Sequence, residues 1–147
     1  MGLEKNIPVG WMETTLGEVA TFQRGFDLTK SDRTFGEYPL MVSNGQDGTH
    51  NEFKVSGPGI VTGRSGSLGN VFYIKDDFWP LNTTLWIKNF HKNDIRFVYY
   101  FLTKFPFEKY NAGSGVPTLN RNHIHPLPVI IPSVPEQKAI ANVLTAF

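Results

Sequence analysis

The chain has 147 residues, 40% of them hydrophobic, with 12 Phe, 5 Tyr and 3 Trp, which is ample material for the core of one ordinary domain. Its charged fraction of 18% lies below the roughly 25% of an average globular chain, and with so many aromatic residues this excludes a disordered polypeptide. Cysteine is absent, which excludes disulfides and thiolate metal sites, and the net charge of +1 favours no particular class of partner.

After a turn at Pro8-Val9-Gly10, residues 15–20 read as a short helix and residues 21–26, with alternating apolar positions, as a strand. Residues 27–37 are polar and read as loop. A short apolar run from Tyr38 to Val42 precedes Ser43-Asn44-Gly45-Gln46-Asp47-Gly48, which has the composition of a turn. Residues 59–62 and 70–74 read as paired strands joined by Gly63-Arg64-Ser65-Gly66-Ser67-Leu68-Gly69, and residues 83–88 as a further strand. Asp94 is placed to cap a helix in which Ile95, Val98, Phe101, Leu102 and Phe105 recur at helical spacing, with Pro106 ending it. Residues 127–131 form a proline-flanked strand. Ser133-Val134-Pro135-Glu136 has the spacing of a capping box, in which the Ser133 side chain bonds the Glu136 amide and Glu136 reaches back. Ile140, Val143, Leu144 and Phe147 mark an apolar stripe on the helix behind it. The expected fold is α/β (α+β): a β-rich body over residues 1–132 with a few short helices, then a helix from 133 to 147.

No run approaches the roughly 18 apolar residues of a membrane span. Met1-Gly2-Leu3-Glu4-Lys5-Asn6 leads into Ile7-Pro8 without an apolar stretch, so no secretory signal is expected and a cytoplasmic location is. On that expectation Asn82-Thr83-Thr84, a glycosylation-type triplet, is not used as one.

Signals for catalysis are weak. Glu52-Phe53-Lys54 has the Glu-x-Lys spacing of metal-dependent nucleases, but no Pro-Asp stands upstream and the tripeptide is common by chance. His123 and His125 flank Ile124, yet two imidazoles without a nearby carboxylate or Cys are more often packing or surface residues than metal ligands. Dinucleotide-binding, Walker and nucleophile-elbow motifs are missing, as is the Asn-Pro-Pro-aromatic signature of amino-methyltransferases.

Two loops carry more information. In residues 63–69 glycines free the backbone for close approach, and Arg64 offers a planar fork of donors; the plain alternative is a glycine-rich hairpin with an exposed Arg. Residues 111–122 concentrate amides and hydroxyls with Arg121. Such groups suit both phosphates and base edges, while the plain alternative is a polar loop in which Asn120 caps the turn at 121–125. No acid lies between Glu52 and Asp76 or between Glu108 and Glu136, and these windows hold Lys54, Arg64, Lys75, Lys109 and Arg121. One basic face is the expectation.

In order along nearly the whole chain, these segments resemble the specificity subunits of type I restriction–modification enzymes. Pro8-Val9-Gly10-Trp11 with Leu16-Gly17-Glu18-Val19 resembles the opening of a target-recognition domain. Gly59-Ile60-Val61 with Arg64-Ser65-Gly66-Ser67-Leu68-Gly69 is similar to the central Arg-x-Gly-x-x-Gly hairpin. Gly115-Val116-Pro117-Thr118-Leu119-Asn120 and residues 127–132 resemble the closing loop and strand. Pro135-Glu136-Gln137-Lys138-Ala139-Ile140-Ala141 resembles the Pro-x-Glu-Gln-x-x-Ile-Ala start of the long family helix, and is the most specific piece.

The resemblance implies an α/β domain, one of two per subunit, that reads half of a split double-stranded DNA site in the major groove. It further implies that methylation subunits using S-adenosylmethionine, and restriction subunits using ATP and Mg²⁺, do the chemistry. This chain would then be a non-catalytic component without cofactor or metal, holding one recognition domain and the beginning of its helix. Its partners would be DNA, those subunits, and a second recognition domain or a second copy of the chain, with no membrane. Candidate DNA-binding residues are Arg24, Asn44, Gln46, Arg64, Ser65, Ser67, Ser114, Thr118, Asn120, Arg121 and Asn122. Candidate interface residues on the helix are Ile140, Val143, Leu144 and Phe147. A β-rich module for a sugar or small ligand, and a metal-dependent nuclease, are the other classes.

Overall fold

The computed structural model describes residues 6–147. The sequence expectation for the extreme N-terminus falls in large part outside those residues. Nine strands and four α-helices follow in the order β1 (Trp11–Thr15), α1 (Leu16–Val19), β2 (Thr21–Arg24), β3 (Tyr38–Val42), β4 (Gly45–His50), β5 (Gly59–Gly63), β6 (Val71–Ile74), β7 (Trp79–Pro80), β8 (Thr84–Asn89), α2 (Ile95–Thr103), α3 (Arg121–Ile124), β9 (Pro128–Pro132) and α4 (Val134–Thr145). This is the mixed, β-rich architecture that the sequence implied.

The strands form three sheets: β1–β9, β2–β8–β5–β6 and β4–β3–β7. Every residue of β5 is buried because its strand is central and covered on both faces. Ile60, with Leu85 and Ile87 of β8, faces the main core, while Val61 packs with Met41, Ile74, Phe78 and Trp86 in a second cluster. The main core draws Leu16 and Val19 from α1, Phe22 from β2, Val98 and Leu102 from α2, Ile124 from α3 and Ile131 from β9. Phe22 meets Phe107 edge-on at 6.0 Å, and both rings are fully buried. Each such ring contributes about 1.5–3 kcal/mol by leaving water.

Several local expectations hold. Asp94 caps α2 by accepting the Phe97 amide at 2.9 Å. Asn120 caps α3 by accepting the Asn122 amide at 2.9 Å. Residues 43–48 differ from expectation: only Ser43 and Asn44 form the turn, and the polar residues from Gly45 onward are strand β4. Its backbone pairing with β3 overrides weak strand propensity, and as an edge strand it tolerates a polar face. Strand β1 was not anticipated, because its reason for existing is β9 far along the chain, with Trp11 opposite Pro132 and Thr15 opposite Pro128.

The capping box is absent. Ser133 occupies the N-cap with extended backbone, yet its side chain makes no capping bond. Pro135 has no amide to satisfy, which lowers the demand at that end. The start of α4 is secured instead by Gln137, which is 1% exposed. Its Oε1 accepts the Asp94 amide at 2.9 Å, and its Nε2 donates to Asn93 Oδ1 at 2.9 Å and to the Pro132 carbonyl at 3.0 Å. Ala141, one turn on, is also fully buried. Beyond it one face stays on α2, where Arg96 donates to Asn142 Oδ1 at 2.7 Å and the Tyr100 hydroxyl meets Thr145 Oγ1 at 3.0 Å. Val143, Leu144 and Phe147 are 59%, 44% and 101% exposed, and Ile140 packs at the edge of the core.

Replacing Gln137 by Leu removes these bonds and strands the Asp94 amide and the Pro132 carbonyl. A loss of about 2–4 kcal/mol is expected. Urea unfolding of the two proteins checks it, and a loss below about 0.5 kcal/mol, the range of an ordinary surface change, contradicts the latch.

Candidate functional site

The two polar loops are sewn together by main-chain bonds. Leu119 donates its amide to the Arg64 carbonyl at 2.7 Å, Gly66 donates to the Pro117 carbonyl at 2.9 Å, and Ser65 and Thr118 form an antiparallel bridge. The first loop is also fastened to residues 82–84, since the Arg64 and Ser65 amides donate to the Thr83 carbonyl at 2.8 and 3.1 Å. Inside the second loop Asn111 Oδ1 accepts the amides of Gly113 and Thr118, each at 2.9 Å. Both loops need a glycine where the chain folds onto itself. A Cβ on Gly63 would run into the Ser67 carbonyl, and one on Gly113 into the Val116 carbonyl. The β3–β4 turn joins this rim: the Ser43 amide donates to Thr83 Oγ1 at 3.3 Å, and the Ser43 hydroxyl lies against Gly66.

This stitching gathers Arg24, Arg64, Thr118, Asn120, Arg121 and Asn122 around one cleft of about 290 Å³, floored by Leu85 and Leu119. Arg64 and Arg121 are positioned by neutral acceptors. Arg64 Nε donates to the Asn82 carbonyl at 2.7 Å. Arg121 Nη1 donates to the Phe22 carbonyl at 2.9 Å and to Gln23 Oε1 at 2.7 Å. Arg24 is exposed and pairs with Asp27 at 3.2 Å. Burial, then the proximity of Arg24, lowers the Arg64 pKa, with Asp27 acting in the opposite direction. A guanidinium still stays charged.

The remaining candidates stand elsewhere. Asn44 is exposed at the β3–β4 turn, and Gln46 is exposed on β4 with its Nε2 donating to the Gly48 carbonyl at 3.2 Å. Ser114 is exposed at the tip of the second loop, Ser65 lies half-buried in the bridge to Thr118, and the Ser67 hydroxyl faces Asn70 at 3.5 Å. The two acid-free windows do not form one face. They bring Arg64 and Arg121 together, whereas Lys54 lies over Trp79 at 4.9 Å and Phe26 at 5.5 Å, and Lys75 lines a cleft with Glu37, Asp76 and Asp77. Asn82 and Thr83, which hold Arg64 and its loop, carry no sequence signal for a site: their triplet has glycosylation spacing and Thr83 opens a strand segment.

His125 serves the body of the domain. Its Nε2 accepts the Phe22 amide at 3.0 Å, and its ring tilts against Phe22 at 5.8 Å. Burial, then the charge of Arg121 and the neighbouring His91, holds its pKa below the ordinary value. His123, by contrast, is exposed. Among the described residues no three of His, Cys, Asp and Glu are grouped to hold a metal ion.

Fold and site together define a class: a β-rich α/β binding domain whose polar loops form one stitched, cation-bearing rim and whose last helix lies along α2 with an exposed apolar end. The sequence profile of the type I restriction modification DNA specificity domain matches residues 8–147. The chain belongs to that family. It is 26% identical over 140 residues to the Escherichia coli type I restriction enzyme EcoprrI specificity subunit, covering 90% of this chain and 35% of that protein. The fold superposes on the S subunit of a type I restriction–modification system from M. genitalium with a TM-score of 0.80, at 22% identity, covering 99% of this chain and 40% of that one. It also superposes on the HsdS subunit from Thermoanaerobacter tengcongensis with a TM-score of 0.71, at 12% identity, covering 97% and 38%. A structure described as showing complex assembly and conformational transition of the type I R-M system matches with a TM-score of 0.76, at 14% identity, covering 97% and 39%. The chain therefore spans less than half the length of each relative.

A pH dependence follows from His125. Its depressed folded pKa means that its contribution is complete above the unfolded value near 6.5 and is lost as pH falls from there toward the folded value. His125→Gln keeps an acceptor for the Phe22 amide and removes the titration. The fall in Tm between pH 7.5 and 5.0 should be larger in the parent than in this variant; equal falls contradict the assignment.

Proposed function

We propose that this chain is a target-recognition module of a type I specificity subunit. It reads one half of a bipartite site in double-stranded DNA through the major groove, and directs methylation and restriction subunits to that site. The observation that carries this reading is the stitched rim, where two loops and a turn present amides, hydroxyls and two guanidiniums without carboxylate partners. Amide and hydroxyl side chains on such a rim match the donor and acceptor patterns of base edges, and its cations match phosphates. Family membership supports the DNA-specificity role, and the structural relative whose description concerns complex assembly supports partnership with other subunits.

In this reading the body up to residue 132 recognises DNA, and residues 133–147 begin the helix that sets the spacing to a second recognition domain, in the same subunit or in a second copy. Catalysis belongs to the partners: S-adenosylmethionine, ATP and Mg²⁺ are their cofactors, and none is assigned to this chain. No helix among the described residues is long and apolar enough to cross a membrane. The site of action is the cytoplasm, where those partners and their DNA meet.

Selection from a random duplex library, with the chain as bait at low salt, should enrich a short sequence of a few base pairs. Recovery of unenriched sequence after repeated rounds contradicts sequence-specific reading. Incubated with DNA, Mg²⁺, ATP and S-adenosylmethionine, the purified chain should leave DNA uncut and unmethylated, and an activity that copurifies with the chain contradicts the non-catalytic role.

The exposed end of α4 gives a separate prediction. Val143→Glu with Phe147→Glu should shift Tm by no more than about 4 °C, because each substitution at an exposed position stays within about 0.5 kcal/mol. The same pair should abolish self-association and recruitment of the methylation subunit. Unfolding would place the helix end in the domain's own core, against the scaffold reading.

A further inference from the structure

Arg64 and Arg121 are held by neutral acceptors and not by carboxylates. Each is fixed by carbonyl or amide oxygens, which orient the guanidinium while leaving its charge uncompensated. Among the described residues neither forms an ion pair, and no carboxylate lines their shared cleft. Asp27, the acid that acts on Arg64, is bonded to Arg24 at 3.2 Å. Arg64 reaches its carbonyl through Nε, so both of its terminal nitrogens are left to donate, and Arg121 is tethered through Nη1 alone.

The guanidiniums of Arg64 and Arg121 line one cleft beside Leu85 and Leu119, where charge without an anion is costly, and Arg24 is the like charge that acts on Arg64. The pair is nevertheless built rigidly, because the Leu119–Arg64 backbone bond fixes one loop to the other. Thr118, Asn120 and Asn122 add short polar side chains at the mouth. Planar forks held in advance are suited to the tetrahedral oxygens of a phosphate, which accept paired N–H donors.

We infer that this cleft is a seat for a single DNA backbone phosphate, so that Arg64 and Arg121 anchor the duplex and do not read its bases. The inference rests on the DNA-recognition reading above and divides its surface: the seat sets register, while base reading falls to side chains outside it on the rim. Arg24, exposed and already paired with Asp27, is a lesser contributor to the seat.

The test uses the whole chain and duplexes in which one phosphate at a time is replaced by a neutral methylphosphonate. Wild-type protein should lose about tenfold in affinity at one or two adjacent positions, the size of a charge-assisted hydrogen bond. Arg64→Gln should be insensitive to the same replacements. Its slope of log affinity against log salt should be shallower by about 0.9, one phosphate's worth. Its preference among base sequences should match the parent's. Arg64→Lys should restore the slope and only part of the affinity, and melting curves establish that each variant is folded.

Duplex binding by the parent with an unchanged slope in Arg64→Gln, or a changed base preference, overturns the seat while leaving DNA recognition standing. No duplex binding by the parent at low salt overturns both. Inorganic phosphate provides a separate arm. If it raises Tm of the parent but not of Arg64→Gln at matched ionic strength, while no methylphosphonate position matters, the cleft takes a free anion and its assignment to DNA fails.

Discussion

The side chain of Gln137 is out of contact with water and makes three hydrogen bonds, to the start of α2, to Asn93 and to the last carbonyl of β9. An amide in such a place has few alternatives, because a buried donor or acceptor without a partner costs about 1–3 kcal/mol. Its position therefore fixes three elements relative to one another. Strand β9 in turn pairs with β1, which leads directly into α1 and the Phe22 strand at the centre of the core. Through that chain of contacts the start of the last helix is coupled to the body that holds the polar rim, and Asn142 and Thr145 continue the attachment along α2.

Much of this was legible locally. Asp94, Pro106 and the apolar spacing between them define α2 without help from the rest of the chain, as Asn120 defines α3. The paired strands around residues 63–69 were legible for the same reason, since neighbours in sequence pair with each other. Strand β1 was not, because Trp11 to Thr15 becomes a strand only when Pro128 to Pro132 lies beside it. Nor was β4, whose polar residues obey backbone pairing and not their own propensity. The Pro-Glu-Gln segment was recognisable as a motif, but a capping box was the wrong physical account of it. The glutamine acts by being buried, and its partners lie more than forty positions away, or in the strand just before it.

The candidate site divides in the same manner. Arg64 and Arg121 are legible in the sequence as the cations of two glycine- and amide-rich loops, and Arg24 is a candidate beside them. That these three share a cleft depends on backbone bonds between the loops and on Asn82, Phe22 and Gln23, none of which carries a recognisable signature. The lysines of the acid-free windows show the limit of counting charge along a chain. Lys54 is occupied by aromatic faces and Lys75 stands among acids, so neither adds to a basic face.

Because the two loops are joined through amides and carbonyls, their shape is nearly independent of the side chains at their tips. Ser114 and Val116 point outward on a frame held by Asn111, by the Leu119–Arg64 bond and by glycines that admit no Cβ. Residues at the tips are thus free to be exchanged without refolding the loops, whereas those in the frame are not. A surface built this way can acquire a new preference by single substitutions while keeping its geometry. In evolutionary terms, the rim separates what must be inherited from what is open to change.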